Sequence, residues 1–324
     1  MRHVGIDVSK KTLQVCSLNP PWQANIPNNA RGHQQIIARL SRDSQPVHVV
    51  LEATASYGLD VTKALAQAPH IDVMVVNPRA AKSFAKALDQ RGKTDGMDAT
   101  MLARFAAAMP FKRWLPPPEP YSALRQLMRR RRQVVQERTA EKVRLEEARA
   151  GNHTVPFVLL DIEETISFLD HRVKAIQREA LAHVCAHPDL AAWFDQLRTI
   201  PGVADITALD FMAELGCLPQ DMDVRQLTAY AGLDPQPFQS GTMDASRRIS
   251  KRGNKRLRTA LYLAAINTTR HSTHVSAWRQ RLIGKGKPPK LANIAVARRL
   301  LHAIVGMRKS GTDWDGTKFY AGAA

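Results

Sequence analysis

His3-Val-Gly-Ile-Asp-Val8 is a short apolar run that carries one acid, Asp7. An unpaired charge among apolar neighbours is costly, which marks Asp7 out. Working outward, Thr12–Leu18 alternates and follows a Ser9-Lys-Lys11 turn, so the two runs predict a hairpin. A weak third strand is expected near Gln23–Ile26. Ile36, Ile37 and Leu40 fit one side of a helix. Val47–Leu51 is continuously apolar, as in a buried central strand, and Glu52 ends it. Leu59, Val61, Leu65 and Ala66 predict a second helix. Ile71–Val76 is another buried strand, stopped by Asn77-Pro78, and helices are expected around Arg79–Leu88 and Met97–Ala108.

Three strands, helix, strand, helix, strand, helix is the order of an RNase H-like fold. It puts Asp7 on the first strand and Glu52 on the fourth. Lys93-Thr-Asp-Gly-Met-Asp-Ala99 adds Asp95 and Asp98, three residues apart near a helix start and therefore on one face. Four such carboxylates can converge on divalent metal. Acids are common, so scattered surface charges are the competing account. Oxygen-only ligands favour Mg2+ or Mn2+ over zinc. Two such ions, roughly 4 Å apart, could activate a hydroxyl and stabilise a leaving oxygen.

The chain has 324 residues, enough for two domains, and 44% are hydrophobic. Its net charge is +18. That balance favours a polyanion, most often nucleic acid, without separating DNA from RNA. The three cysteines, Cys16, Cys185 and Cys217, are too far apart to suggest a metal cluster or a disulfide framework. A reducing cytoplasm is expected. No long apolar stretch predicts a membrane span, and the N-terminus runs straight into a strand instead of a signal sequence.

Pro110, Pro116, Pro117, Pro118 and Pro120 mark a stiff linker over 111–120, after an N-terminal domain of residues 1–110. Residues 121–150 lack Pro and Gly and predict a long helix. Gly151-Asn152 breaks it, and Pro156 starts another. Leu159, Ile162, Ile166, Leu169, Val173 and Ile176 then follow heptad spacing. The seam over 121–187 fits either an internal helical hairpin or a coiled coil joining protomers. Arg129-Arg-Arg-Arg132 reads as a solvated face or as a phosphate contact. Residues 188–324 are expected to be mainly helical. There Leu197-Arg-Thr-Ile-Pro-Gly-Val203 before Ala208–Leu215 suggests a helix-hairpin-helix-like motif. Its Pro-Gly turn is either structural or exposes N–H groups to phosphate. The predicted class is α/β + α.

Ser240-Gly241 follows a proline-containing loop and precedes a basic stretch. Arg247, Arg248, Lys251, Arg252, Lys255, Arg256 and Arg258 fall within twelve residues that contain no acid. Mutual repulsion of that density calls for a polyanion. Ser240 has no adjacent His or Asp to act as a base, and as a bare residue it reads more readily as a turn than as a nucleophile.

Several motifs run in a common order: Gly5-Ile-Asp7, Leu51-Glu-Ala-Thr54, Asn77-Pro78, Lys93-Thr-Asp95 with Asp98-Ala99, Ile200-Pro-Gly-Val203, Ala231-Gly-Leu233, Ser240-Gly241, and Lys251-Arg-Gly-Asn254 with Leu257-Arg258. In this the chain resembles insertion-sequence transposases with an N-terminal RuvC-like DEDD domain and a C-terminal serine domain. Pilin-gene invertases and bridge-RNA-guided recombinases belong to that group. The resemblance implies that Asp7, Glu52, Asp95 and Asp98 are the metal ligands. It implies that Ser240 is the nucleophile, forming a covalent phosphoserine with DNA. It further implies dimers that pair into tetramers on donor and target DNA, and for some members a structured non-coding guide RNA. A bacterial cytoplasmic, nucleoid-associated protein is expected. Two other accounts stand beside it. One is a Holliday-junction-type, metal-dependent nuclease with water as nucleophile. The other is a nucleic-acid-binding protein with a decayed nuclease domain, against which the presence of all four acids argues.

Overall fold

The computed structural model describes residues 1–53, 56–89, 94–151, 153–236, 239–240, 243–244 and 248–320, by backbone alone at 56, 239–240, 243–244 and 248. It divides into two compact units, Met1–Pro116 and Pro117–Ala324.

In the first unit β1 (Arg2–Val8), β2 (Thr12–Leu18) and β3 (Pro21–Pro27) form an antiparallel meander. Then come α1 (Ala30–Leu40), β4 (Val47–Glu52), α2 (Leu59–Gln67), β5 (Ile71–Val76), α3 (Pro78–Ala87) and α4 (Asp95–Ala108). The sheet order is β3-β2-β1-β4-β5, and β4 lies parallel to both β1 and β5. This mixed sheet is consistent with an RNase H-like fold. The continuous apolar run of β4 is explained by covering on both faces. Val49 and Leu51 join a core with Ile36 and Leu40 of α1 and with Val61 and Leu65 of α2. Val50 faces the other way, towards Met101, Leu102 and Phe105 of α4. The edge strand β3 has the weakest sequence signal because most of it is solvated, and it begins and ends on proline. Asn77 does two jobs: it ends β5 and its side chain caps α3, with Pro78 in the first turn.

The second unit opens with α5 (Glu119–Ala150) and α6 (Pro156–Cys185). They run antiparallel: Arg149 pairs with Glu163 at 2.6 Å, and Arg138 pairs with Asp170. Leu169, Val173 and Ile176 of the heptad seam are buried with Val134 of α5 in the same chain. Leu159, Ile162 and Ile166 are half-buried. The Arg129–Arg132 run is divided between two environments. Arg129 and Arg132 reach α8 (Asp205–Leu215), at Glu214 and Asp210, over 3.3 and 3.7 Å, while Arg130 lies outside beside Glu137.

Between α6 and α8 lies α7 (Pro188–Arg198), and after α8 comes α9 (Val224–Ala231). Four two-residue strands follow: β6 (Pro235–Gln236), β7 (Gln239–Ser240), β8 (Met243–Asp244) and β9 (Arg248–Ile249). They pair as β6 with β9 and β7 with β8. Strands this short carry no periodic signal, so this segment was not legible as β-structure. The chain finishes with α10 (Lys255–His271), α11 (Thr273–Gly284), α12 (Pro289–Ser310) and α13 (Gly316–Phe319). Phe211, Leu197, Ile200, Leu257, Leu261 and Leu300 sit in one core.

The Pro201-Gly202 turn between α7 and α8 packs against α10. Gly202 has φ +80°, and a Cβ there would lie 2.8 Å from the Asn267 carbonyl carbon. Glycine is needed there for both conformation and space. The Val203 N–H is already bonded to the Ile200 carbonyl at 3.0 Å. Among the described residues no helix is long and apolar enough to cross a membrane.

Leu169 is the testable point of the α5–α6 packing. Leu169→Ala removes a buried side chain from a small cluster and is expected to cost about 2–3 kcal/mol in urea unfolding. An unchanged midpoint would show that this side chain does not hold the hairpin.

Candidate active site

The first unit gathers its acids through one close approach. A Cβ on Gly5 would lie 2.1 Å from the Ala99 carbonyl oxygen and 2.3 Å from the Ala103 nitrogen. The backbone of α4 therefore rests directly on β1, over residues that are small on both sides. Residues two apart on a strand share a face, so Asp7 points to the same side as Gly5, towards α4. Asp95 and Asp98 occupy the first turn of that helix, which Thr94 caps through a bond from the Met97 N–H. On β4, Val50 packs against α4, and Glu52 lies two residues further on the same face. The parallel register pairs Ile6 with Leu51, which sets Glu52 beside Asp7.

The electrostatics agree with this placement. The Asp7 carboxyl holds its proton more tightly than an ordinary carboxylate. Burial is the largest cause, followed by the charges of Asp98, Asp95 and Glu52, against a hydrogen bond from the Val8 backbone. The other three sequence-predicted acids thus all act on Asp7 through space. Asp95 is exposed, and the other three are half-buried. Among the described residues no three His, Cys, Asp or Glu side chains already form a set that could hold an ion. Hard oxygen donors whose repulsion a cation would relieve fit a divalent metal. Sequence reasoning did not single out Gln14. It pairs across from Asp7 on β2, and a Cβ on Gly96 would lie 3.8 Å from its amide nitrogen. Period-two alternation is the signal that places it beside the acids.

In the second unit the backbone pairs Ser240 with Met243 across β7 and β8. Gly241 and Arg247 lie outside the described residues, and Arg248 falls on β9. Lys251, Arg252, Lys255 and Arg256 are exposed around the start of α10, whose first turn has no acid. A helix N-terminus already carries positive potential, so these cations add to it. Arg258 is different. It is half-buried and donates to the Ala231 carbonyl at 2.9 Å, and burial lowers its proton affinity. Its guanidinium closes the end of α9, where Gly232 takes the left-handed conformation.

An IS110-type DEDD transposase model, described as Transposase, matches residues 4–148. A second model, the transposase IS116/IS110/IS902 family, matches residues 195–280. Together they span more than two thirds of the chain. The sequence is 28% identical over 314 residues to the pilin gene-inverting protein of Moraxella bovis, covering 92% of this chain and 93% of that protein. The pilin gene-inverting protein of Moraxella lacunata is similar to the same degree. The transposase of insertion element IS1111A from Coxiella burnetii is 34% identical over 129 residues, covering 39% of this chain and 32% of that protein. These likenesses define an enzyme that cleaves and joins DNA. The chain belongs to the IS110/IS116 family of transposases. Its DEDD domain points to dependence on a divalent metal ion.

Two substitutions test the acid cluster. Gly5→Val forces α4 off β1 and is expected to remove a rise in melting temperature that the parent protein should show with a divalent cation such as Mg2+ or Mn2+. A variant that keeps the full rise would show that the close approach does not set the site. Asp7→Asn tests the repulsion itself. Because the folded proton affinity of Asp7 is raised, ionisation opposes folding. Metal-free stability therefore falls as pH climbs through the ordinary carboxylate range to the raised folded value. At neutral pH Asp7→Asn should melt higher than the parent without metal and respond less to added metal. A lower melting temperature with an unchanged metal response would mean that the carboxylate is structural.

Proposed function

We propose that this protein is a DNA recombinase of a mobile insertion sequence, with Ser240 as the attacking group and Asp7, Glu52, Asp95 and Asp98 as the metal site. The observation that supports this most is that β1, β4 and the first turn of α4 bring four acids together in an otherwise basic chain, where Asp7 is raised by burial and by the charges of the other three. Mg2+ or Mn2+ bound by these carboxylates would supply positive charge to a phosphodiester oxygen and make phosphorus easier to attack. Ser240 Oγ forms a bond to phosphorus as the bond to one sugar oxygen breaks. The serine proton is lost, and the departing oxygen takes one up. Rejoining reverses the exchange with a different strand end, so the phosphodiester bond energy is kept in the phosphoserine.

The domain roles follow from this reading. Residues 1–110 form the RuvC-like metal domain and 111–120 the linker. Residues 121–187 form a helical hairpin whose half-buried Leu159, Ile162 and Ile166 are left for assembly between protomers, and 188–324 form the serine transposase domain. Lys251, Arg252, Lys255 and Arg256, with Arg247 and Arg248, hold the phosphate backbone of donor and target DNA. Arg258 serves that surface indirectly, by fixing the end of α9. Assembly as dimers that pair on DNA, and guidance by a structured non-coding RNA, complete the proposal.

The direct test is a search for a covalent adduct. Protein, RNA transcribed from the flanking DNA, labelled donor and target DNA and Mg2+ are incubated and separated on a denaturing gel. A protein–DNA band that Ser240→Ala removes is expected. Cleavage without an adduct, unaffected by Ser240→Ala, would instead identify a water-using nuclease of the junction-resolving type. Reversal of Arg252 and Arg256 to Glu should weaken DNA binding and flatten its dependence on salt, since fewer counterions are released. Unchanged binding would return those side chains to a solvated helix face.

A further inference from the structure

Glu214 is a carboxylate on α8 that is only 4% exposed, and the proposed chemistry does not use it. A buried charge persists only where it is paired and hydrogen-bonded. Three hydrogen bonds from two side chains reach it. Arg129 of α5 donates through Nε and Nη2 at 3.4 and 3.3 Å, and the Asn254 amide donates at 2.7 Å. The same amide nitrogen lies 3.0 Å from the Tyr230 hydroxyl of α9. The Asn254 carbonyl oxygen faces the other way and caps α10, accepting from the Arg256 and Leu257 N–H groups at 2.9 and 3.2 Å. The backbone is equally constrained. The Asn254 N–H donates to the Tyr230 carbonyl, and a Cβ on Gly253 would fall 2.0 Å from that same oxygen.

Asn254 thus stands between two exposed cations on each side, Lys251 with Arg252 and Lys255 with Arg256. One side chain both caps the helix that carries the second pair and ties the loop that carries the first to a buried anion. Repulsion among the four cations works to spread them, and the cap alone would not resist a swing of the loop. We propose that Asn254, held by Glu214, is a positioning residue that fixes the Lys251–Arg256 cations in the arrangement that binds a DNA phosphate backbone. Glu214 sets the direction of the Asn254 amide, and Arg129 neutralises Glu214. The inference rests on the proposed nucleic-acid role of those cations.

The test reverses the polarity of one hydrogen bond in the full chain. Asn254→Asp keeps an oxygen to cap α10 but sets a second carboxylate against Glu214. Glu214→Gln keeps an acceptor for the Asn254 amide. The double variant restores a donor, from the new glutamine to the new carboxylate, and keeps the net charge of the parent. Binding of a labelled duplex oligonucleotide is measured across salt concentrations, with melting temperature beside it. Asn254→Asp should weaken binding about tenfold, the scale of a lost hydrogen bond to a charged group, with a shallower salt slope. Glu214→Gln should bind almost as the parent does. The double variant should recover both affinity and slope.

Recovery of melting temperature without recovery of binding would overturn the proposal, because the bond would then serve only stability. Parent-like binding by Asn254→Asp would overturn it too. The Arg252→Glu, Arg256→Glu variant separates the two readings. If it also binds like the parent, the cations are not the DNA contact and the underlying assignment fails. If it binds weakly while Asn254→Asp does not, only the positioning role fails.

Discussion

The contact between Gly5 and the backbone of α4 is the constraint on which the metal domain depends. A strand and a helix normally keep their side chains between them. Here Gly5, Ala99 and Ala103 remove that spacer, and the helix axis drops onto the sheet. Because the helix begins only four residues before Ala99, its first turn then overhangs Asp7. The two acids of that turn and the two strand acids are brought together by backbone geometry rather than by any attraction among themselves. Their mutual repulsion opposes the arrangement, as the raised proton affinity of Asp7 records. The packing free energy of α4 against β1 and β4 has to exceed it, and the fully buried Val50, Leu102 and Ala103 contribute to that packing.

A similar economy of space governs the second unit. Gly232 and Gly253 face each other where α9 ends and α10 begins: a Cβ on Gly232 would lie 2.8 Å from the Gly253 nitrogen. The Arg258 guanidinium lies over the same corner, and Asn254 locks it from the side of α8. The motif residues Ala231-Gly-Leu233 and Lys251-Arg-Gly-Asn254 therefore have a common structural cause. They build one corner from which the exposed cations project.

The sheet was legible because its strands have two kinds of pattern that sequence can carry: alternation in β2 and unbroken apolar runs in β4 and β5. Asp7 and Glu52 were legible for the same reason, while Asp95 and Asp98 were read from their spacing of three at a helix start. What sequence could not carry was partnership across long separations. Arg129 and Arg132 read as members of a cationic run, yet they bond to Glu214 and Asp210, about eighty residues away. Arg258 read as one more phosphate ligand, although its partner is a backbone carbonyl. Gly5 gave no sign of what it lies against. The heptad seam was visible, but the same spacing suits a partner within the chain or outside it, and Leu169, Val173 and Ile176 have one within it. The β-strands around Ser240 are two residues each, too short for any periodicity.

The two candidate surfaces each gather charge of one sign among the described residues. At the acid cluster the charge is negative and partly buried, and ionisation of Asp7 is made less favourable by burial and by its three acidic neighbours. Around the start of α10 it is positive, added to the N-terminal end of a helix dipole. Neither arrangement is optimal for an isolated folded chain. Each becomes favourable on meeting its complement, a divalent cation in one case and a phosphate backbone in the other. Under the proposed reading the two are linked. A phosphodiester at the metal adds negative charge that strengthens cation binding, and a bound cation in turn strengthens the hold on that phosphodiester. Metal affinity should therefore rise when DNA is present, and DNA affinity should rise with metal by the same factor. That reciprocity would make the assembled complex, rather than the free protein, the form in which the site is closed for chemistry.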